Sequence, residues 1–166
     1  MSEPASMQPL PDRRAFLGGA FAAAGVALVA PIARAVGSMG PIAASDTIKV
    51  IVIGCGGRGT GAAMQALKAD PGVVIWAMAD AFGDRMDAAV AELQKGEMSP
   101  RVQVPPERRF SGFEGAEKAC QSGGHVAIIA GPPGLRPDHL RCAVDAGLHV
   151  FCEKPMFSDA GGAKRV

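Results

Sequence analysis

Ile48-Lys49-Val50-Ile51-Val52-Ile53 runs straight into Gly54-Cys55-Gly56-Gly57-Arg58-Gly59, and this junction decides the fold. The first six residues are β-branched and almost wholly apolar, the pattern of a strand buried on both faces. The next six read G-x-G-x-x-G. Thr60 to Ala69 then places Ala63, Ala66 and Leu67 on one helical face. A buried strand, a glycine turn and an amphipathic helix in that order give the glycine pattern a structural context that it lacks alone.

Working outward, strands and helices alternate. Asp70-Pro71-Gly72 ends the first helix, and Val73 to Ala79 is a second apolar strand. Asp84 to Lys95 is helical, with Met86, Val90 and Leu93 at helical spacing. The Pro-containing stretch 96–107 reads as loop, and Arg108 to Phe110 as a short third strand. A short helix over Gly115 to Gln121 and a fourth strand over Val126 to Ala130 follow. Pro137 opens a helix containing Leu140, Ala143 and Val144, at a first-turn position where its missing N–H costs nothing. Gly147 stops that helix, and Leu148 to Cys152 is a fifth strand. This alternation predicts an α/β fold: a doubly wound parallel sheet of the Rossmann type, with the first strand central and right-handed crossovers. Such a sheet usually has six strands. The reading is therefore of a domain over 48–166 that stops before its last strand, inside a helix that starts near Asp159. The fifth strand would then be an edge with unpaired backbone groups, which predicts marginal stability or self-association into a homo-oligomer.

The spacing of the turn has a mechanical reason. Gly54 permits the tight exit from the strand, Gly56 lets a phosphate approach the backbone, and Gly59 lets helix and strand pack closely. The N–H groups of Gly57, Arg58 and their neighbours, at the positive end of the helix dipole, suit a diphosphate. The dipole contributes ~0.3–1 kcal/mol when exposed; hydrogen bonds to charged oxygens contribute more. Asp80, about 20 residues past the turn at the end of the second strand, stands where this fold binds the adenosine ribose. Its carboxylate would repel a 2′-phosphate by about 4 kcal/mol at ~4 Å and an effective dielectric near 20. That favours NAD over NADP, with Arg85 close enough in sequence to weaken the preference.

Gly147-Leu148-His149-Val150-Phe151-Cys152-Glu153-Lys154-Pro155 closes the fifth strand on the cofactor side of the sheet. Pro155 forces Lys154 into extended geometry, and the peptide between them can be cis. With the Gly54–Gly59 turn, Asp80, Ala130-Gly131-Pro132-Pro133 and His139, this element resembles the Gfo/Idh/MocA oxidoreductases. The resemblance spans the chain from Ile48 onward, and Glu-Lys-Pro at this distance from the turn is its most specific part. It implies an N-terminal dinucleotide-binding domain, a C-terminal α/β domain with an open antiparallel sheet, and hydride transfer between nicotinamide and a sugar or cyclitol hydroxyl. By the same resemblance, Lys154 lies near the nicotinamide and the sugar-like substrate as the catalytic lysine. Glu153 contacts the cofactor region, Pro132 and Pro133 follow the nicotinamide ribose, and Cys55 belongs to the phosphate turn. The family often has Thr-Pro where this chain has Gly131-Pro132, and His139 lies farther from that loop than in the commonest pattern. The catalytic Asp and His that many members carry in the second domain have no counterpart in these 166 residues.

Lysine alone titrates near ~10.4 and is a weak base at neutral pH. Burial or a nearby positive charge is what would let it accept a hydroxyl proton. On its residues alone, Lys154 reads as a surface lysine that is solvated or paired with Glu153; the resemblance favours the catalytic role. His125 and His149 read as structural. The rival functional readings are a truncated NAD-holding module without turnover and a structural Rossmann-like domain without cofactor.

Residues 1–35 read as an address. Asp12-Arg13-Arg14-Ala15-Phe16-Leu17 precedes a weakly apolar Ala- and Gly-rich run, and Ala33-Arg34-Ala35 offers a cleavage site. The paired arginines resemble a twin-arginine signal, which engages the export machinery for folded proteins. The protein is expected in a bacterial periplasm, membrane-anchored if the signal stays. Residues 36–47 read as linker. A net charge of +1 and the lack of a basic run exclude nucleic acid as an expected partner. Cys55, Cys120, Cys142 and Cys152 match no zinc spacing, so no metal is expected. They read as small, mostly buried side chains rather than a disulfide or redox set.

Overall fold

The computed structural model describes residues 46–166. The export signal expected over residues 1–35, and the linker expected over 36–47 apart from its last two residues, lie outside them. Five parallel strands form one sheet in the order β3-β2-β1-β4-β5. These are β1 (Ile48–Ile53), β2 (Val73–Asp80), β3 (Arg109–Ser111), β4 (Val126–Ile129) and β5 (His149–Cys152). The helices are α1 (Gly57–Ala69), α2 (Gly83–Leu93), α3 (Gly115–Cys120), α4 (Arg136–Asp145) and α5 (Ala160–Arg165). No helix among the described residues is long and apolar enough to cross a membrane.

Period-two alternation in β1 feeds two separate cores. Val50 and Val52 pack with Ala63 and Leu67 of α1 and with Met86, Ala89, Val90 and Leu93 of α2. Ile51 and Ile53 point to the other face, among Ala116 and Ala119 of α3 and Ala143 of α4. A strand covered on both sides has no solvent face, which is why β1 carries hardly a polar residue. The small alanines on α3 and α4 bring those helices close to the sheet. The fold is thus the doubly wound α/β arrangement, with β1 central and β5 at one edge.

Most element boundaries lie within one or two residues of the sequence reading, and three departures have a physical reason. Helix α1 starts at Gly57 rather than Thr60, because packing against β1 holds glycines whose own helix propensity is poor. Helix α4 starts at Arg136, with Pro137 at its second position. The stretch 96–107 is more ordered than a plain loop. It holds two 3-10 turns, Ser99–Arg101 and Pro106–Arg108, and Val102 and Val104 are buried, with Val102 bridging to Ile75. Arg101 orders it by donating to the carbonyls of Leu67, Asp70 and Val73 at the α1–β2 turn.

Gly59 and Gly56 sit one turn apart in opposite circumstances. A Cβ on Gly59 would run into the carbonyl oxygen of Gly54, whereas one on Gly56 would meet no atom within 4 Å. Gly59→Ala is expected to cost about 3 kcal/mol or more by overpacking against backbone, and Gly56→Ala less than about 1 kcal/mol. Urea unfolding of the two variants checks the contrast; equal losses would contradict the packing described.

Candidate functional site

At the carboxyl ends of β1, β2 and β4 lies a cleft of about 540 Å³, and Gly54, Gly56, Asp80, Pro132, Pro133 and His139 line it together. Gly54 turns the chain out of β1 with φ 95°, and a Cβ there would collide with the backbone at Gly131. Gly56 is the N-cap of α1, with no side chain capping the helix and no acidic residue in its first turn. Uncapped first-turn amides, beside a backbone position with open space where a Cβ would stand, fit a diphosphate.

Asp80 ends β2 and ties the turn in place. One carboxylate oxygen accepts from the Cys55 N–H at 2.7 Å, and the other from the Phe82 N–H at 3.0 Å. Each oxygen keeps a second lone pair for a ribose hydroxyl. The Cys55 side chain turns away from the cleft and is buried, its thiol donating to the Ala79 carbonyl. Burial, with Asp80 nearby, pushes that thiol up to about 12, so it stays neutral. Cys55 and Gly57 line a shallower hollow shared with Ala89 and Glu92.

The opposite wall comes from the β4–α4 connection. A Cβ at Gly131 would stand 3.3 Å from His139 Cε1 and 3.4 Å from Nδ1, so glycine leaves room for the imidazole. Glycine at 131 and histidine at 139 are thus packed against one another. His139 Nδ1 is buried without a hydrogen-bond partner, and burial lowers the ring's pKa against the weaker pull of Asp138. The ring is therefore neutral near pH 7, with an unused polar atom at the cleft wall.

Glu153 and Lys154 lie at the end of β5. The Glu153 carboxylate is 6% exposed and accepts from Arg58 Nε at 2.7 Å, linking the glycine turn to the Glu-Lys-Pro segment. Lys154 is exposed, and the Lys154–Pro155 peptide is cis. Among the described residues Lys154 makes no salt bridge. The pairing with Glu153 that its residues alone suggested is replaced by Arg58–Glu153. His125 is structural, as its Nδ1 accepts from the Lys49 N–H at 3.3 Å.

Three features had no clear signal in the sequence. Arg136 is 6% exposed and donates to the carbonyls of Gly131, Glu153 and Pro155, joining the two loops behind the cleft. Its partners are backbone oxygens, which no residue pattern reveals. Phe82 and Phe113, 57% and 81% exposed, flank the cleft, and Arg85 stacks on Phe82 with 5.0 Å to the ring centroid. The two exposed phenylalanines give the rim of the cleft an apolar surface.

Two measurements test this geometry. Arg136→Met keeps the stem and removes three donors, so it should cost about 2–4 kcal/mol in urea unfolding, and a neutral result would contradict the clip. The hydrogen bond from Arg58 holds the Glu153 carboxyl below its usual range, while burial works the other way. The stability gained is present above the unfolded-chain value of ~4.3 and is lost as pH falls through the depressed folded value. Arg58→Ala should therefore lose less stability than the parent as pH falls below about 5. Identical acid profiles would show that the pair contributes nothing.

Comparison with known proteins agrees with the fold. Residues 48–166 match the family model described as GFO_IDH_MocA, oxidoreductase family, NAD-binding Rossmann fold. A glycosyl hydrolase family 109 protein of Streptomyces coelicolor is 32% identical over 93% of this chain and 35% of its own length. Among solved structures, scyllo-inositol dehydrogenase of Lactobacillus casei, with bound NAD(H) and scyllo-inositol, is 24% identical with a TM-score of 0.55, covering 72% of this chain and 31% of that one. KijD10, a 3-ketoreductase of Actinomadura kijaniata in complex with NADP and TDP-benzene, is 24% identical with a TM-score of 0.52 over 72% and 33%. The chain thus spans about a third of the length of these relatives. It belongs to the Gfo/Idh/MocA oxidoreductase family and carries that family's NAD-binding Rossmann fold.

Proposed function

We propose that this chain is the dinucleotide-binding part of an enzyme that moves hydride to or from a hydroxyl-bearing carbon of a sugar or cyclitol, with NAD preferred to NADP. The observation that carries the reading is the uncapped start of α1, bare at Gly56 and opening on the cleft beside Asp80, which holds the turn through the Cys55 amide. The nicotinamide, when bound, supplies the hydride acceptor or donor. The chain's own residues bind and orient. First-turn amides of α1 hold the diphosphate, Asp80 accepts from the ribose hydroxyls, and Pro132, Pro133 and His139 border the second ribose. Phe82 and Phe113 cover the adenine end. Lys154, free of Glu153, can donate to a substrate oxygen and hold or pass its proton. The preference for NAD rests on the negative charge at Asp80.

A second reading is favoured by the 32% identical glycosyl hydrolase family 109 relative. Oxidising a ring hydroxyl to a ketone acidifies the neighbouring C–H, and loss of that proton lets a leaving group depart by elimination. NAD-dependent glycosidases accordingly stand outside the two-carboxylate scheme. Nitrophenyl glycosides given to the protein as its gene encodes it, with trace NAD, separate the readings. Nitrophenol release without net NADH indicates glycoside cleavage, NADH formed in step with substrate indicates a dehydrogenase, and NADH binding with neither indicates a module without turnover.

The proposal includes export by the twin-arginine route, supported by Arg13-Arg14 ahead of Phe16-Leu17 and the small residues at Ala33 and Ala35. Replacing both arginines with lysine should keep the protein in the cytoplasm, and unchanged secretion would remove this part.

NADH fluorescence titration should saturate, more tightly than with NADPH. Gly56→Ala should raise the NADH Kd by about tenfold or more, equivalent to ~1.4 kcal/mol, without unfolding the protein. In the complete enzyme, Lys154→Ala should cut turnover and leave NADH affinity within about twofold. An unsaturable titration would end the nucleotide reading, and equal turnover would remove Lys154 from the chemistry.

A further inference from the structure

Two of the four cysteines meet on the face of the sheet that α3 and α4 cover. Cys120 is the last residue of α3 and is buried; Cys142 lies in the middle of α4 and is half-buried. Their Sγ atoms are 3.2 Å apart, and the two residues are 22 positions apart in sequence. Closing that gap to a bond of about 2.05 Å needs a movement of ~1.2 Å. Cys55 packs in the core on the opposite face, and Cys152 Sγ donates to the Glu153 carbonyl, so neither competes for this pairing.

We propose that Cys120 and Cys142 form an intramolecular disulfide that staples α3 to α4 when the folded protein meets a disulfide oxidant. The two thiols are set apart in reactivity. Cys142 also contacts the His139 carbonyl at 3.1 Å, and it is the more exposed of the pair. The hydrogen bond between them lowers the pKa of Cys142, and the same bond together with burial raises that of Cys120. Cys142 is therefore the thiol that attacks first. Its thiolate attacks one sulfur of oxidised glutathione, a mixed disulfide forms at Cys142, and one glutathione thiolate departs. Cys120 then attacks Cys142 Sγ, expelling the second glutathione, and the departing thiolate takes up the Cys120 proton. Two electrons and two protons pass from the pair to the oxidant, leaving one protein disulfide and two glutathione molecules. The export proposed above would bring the pair into a compartment where such bonds persist.

The link matters for the cleft because the two helices come directly before and after β4 in the chain, β4 leads into Gly131-Pro132-Pro133, and α4 also carries His139. The pair can be tested without knowing the substrate. The folded protein is incubated with oxidised glutathione, unfolded in the presence of an alkylating agent, and digested without reductant. The expected result is one linked peptide pair holding Cys120 and Cys142, with Cys55 and Cys152 alkylated. In Cys120→Ser a glutathione adduct should persist on Cys142, and in Cys142→Ser no link should form. The oxidised parent should unfold at least about 5 °C above the reduced parent. Four alkylated cysteines, a link between any other pair, or a lower unfolding midpoint on oxidation would overturn the proposal.

Discussion

The approach of α1 to the end of β1 is the constraint on which the site depends. The carbonyl of Gly54 lies where any side chain on residue 59 would begin, so the helix can sit this close only with hydrogen at that position. That contact fixes the direction in which the helix opens, and with it the direction in which its unshared amides point. Gly54 faces a second limit, because the backbone of Gly131 approaches it from β4. The floor of the cleft is therefore built from main chain on three sides.

Loops around such a floor need separate anchoring, and two arginines provide it. Arg136 reaches from the start of α4 to carbonyls on either side of Lys154, so the segment carrying that lysine is fixed to the loop holding Pro132 and Pro133. Arg58 holds Glu153 from the other direction. The two guanidiniums differ in setting. One is buried and satisfied by backbone oxygens, and the other is two-thirds exposed and paired with a carboxylate. The first resembles a structural strut. The second is a contact that solvent and neighbouring anions can reach, in the same residue run that forms the glycine turn.

Much of this was legible in the sequence, for a physical reason. The β1–turn–α1 junction encodes its geometry in residue type, since a buried strand must be apolar and close approach requires glycine. The positions of Gly54, Gly59 and Asp80 could be read before any coordinates. The start of α1 could not, because three glycines in four residues argue against a helix until packing is known. The order within 96–107 was hidden for a similar reason: Arg101 makes it by bonding to carbonyls, and carbonyls have no letter in the sequence. Arg136 escaped notice in the same way. The contact between Gly131 and His139 was visible only as two separate departures from a pattern, until the imidazole was found packed closely beside the glycine.

Asp80 carries a further consequence. The carboxylate that would distinguish one nucleotide from another is also the acceptor that clasps the phosphate turn through Cys55 and braces the following loop through Phe82. On the proposed reading, recognition and architecture would share a single side chain. Drift toward the phosphorylated cofactor could then not proceed by simply losing the acid, since the Cys55 amide would lose its acceptor. A lineage making that change would first have to supply another acceptor for the Cys55 amide, and such a paired replacement is the trace to look for in any relative that has made it.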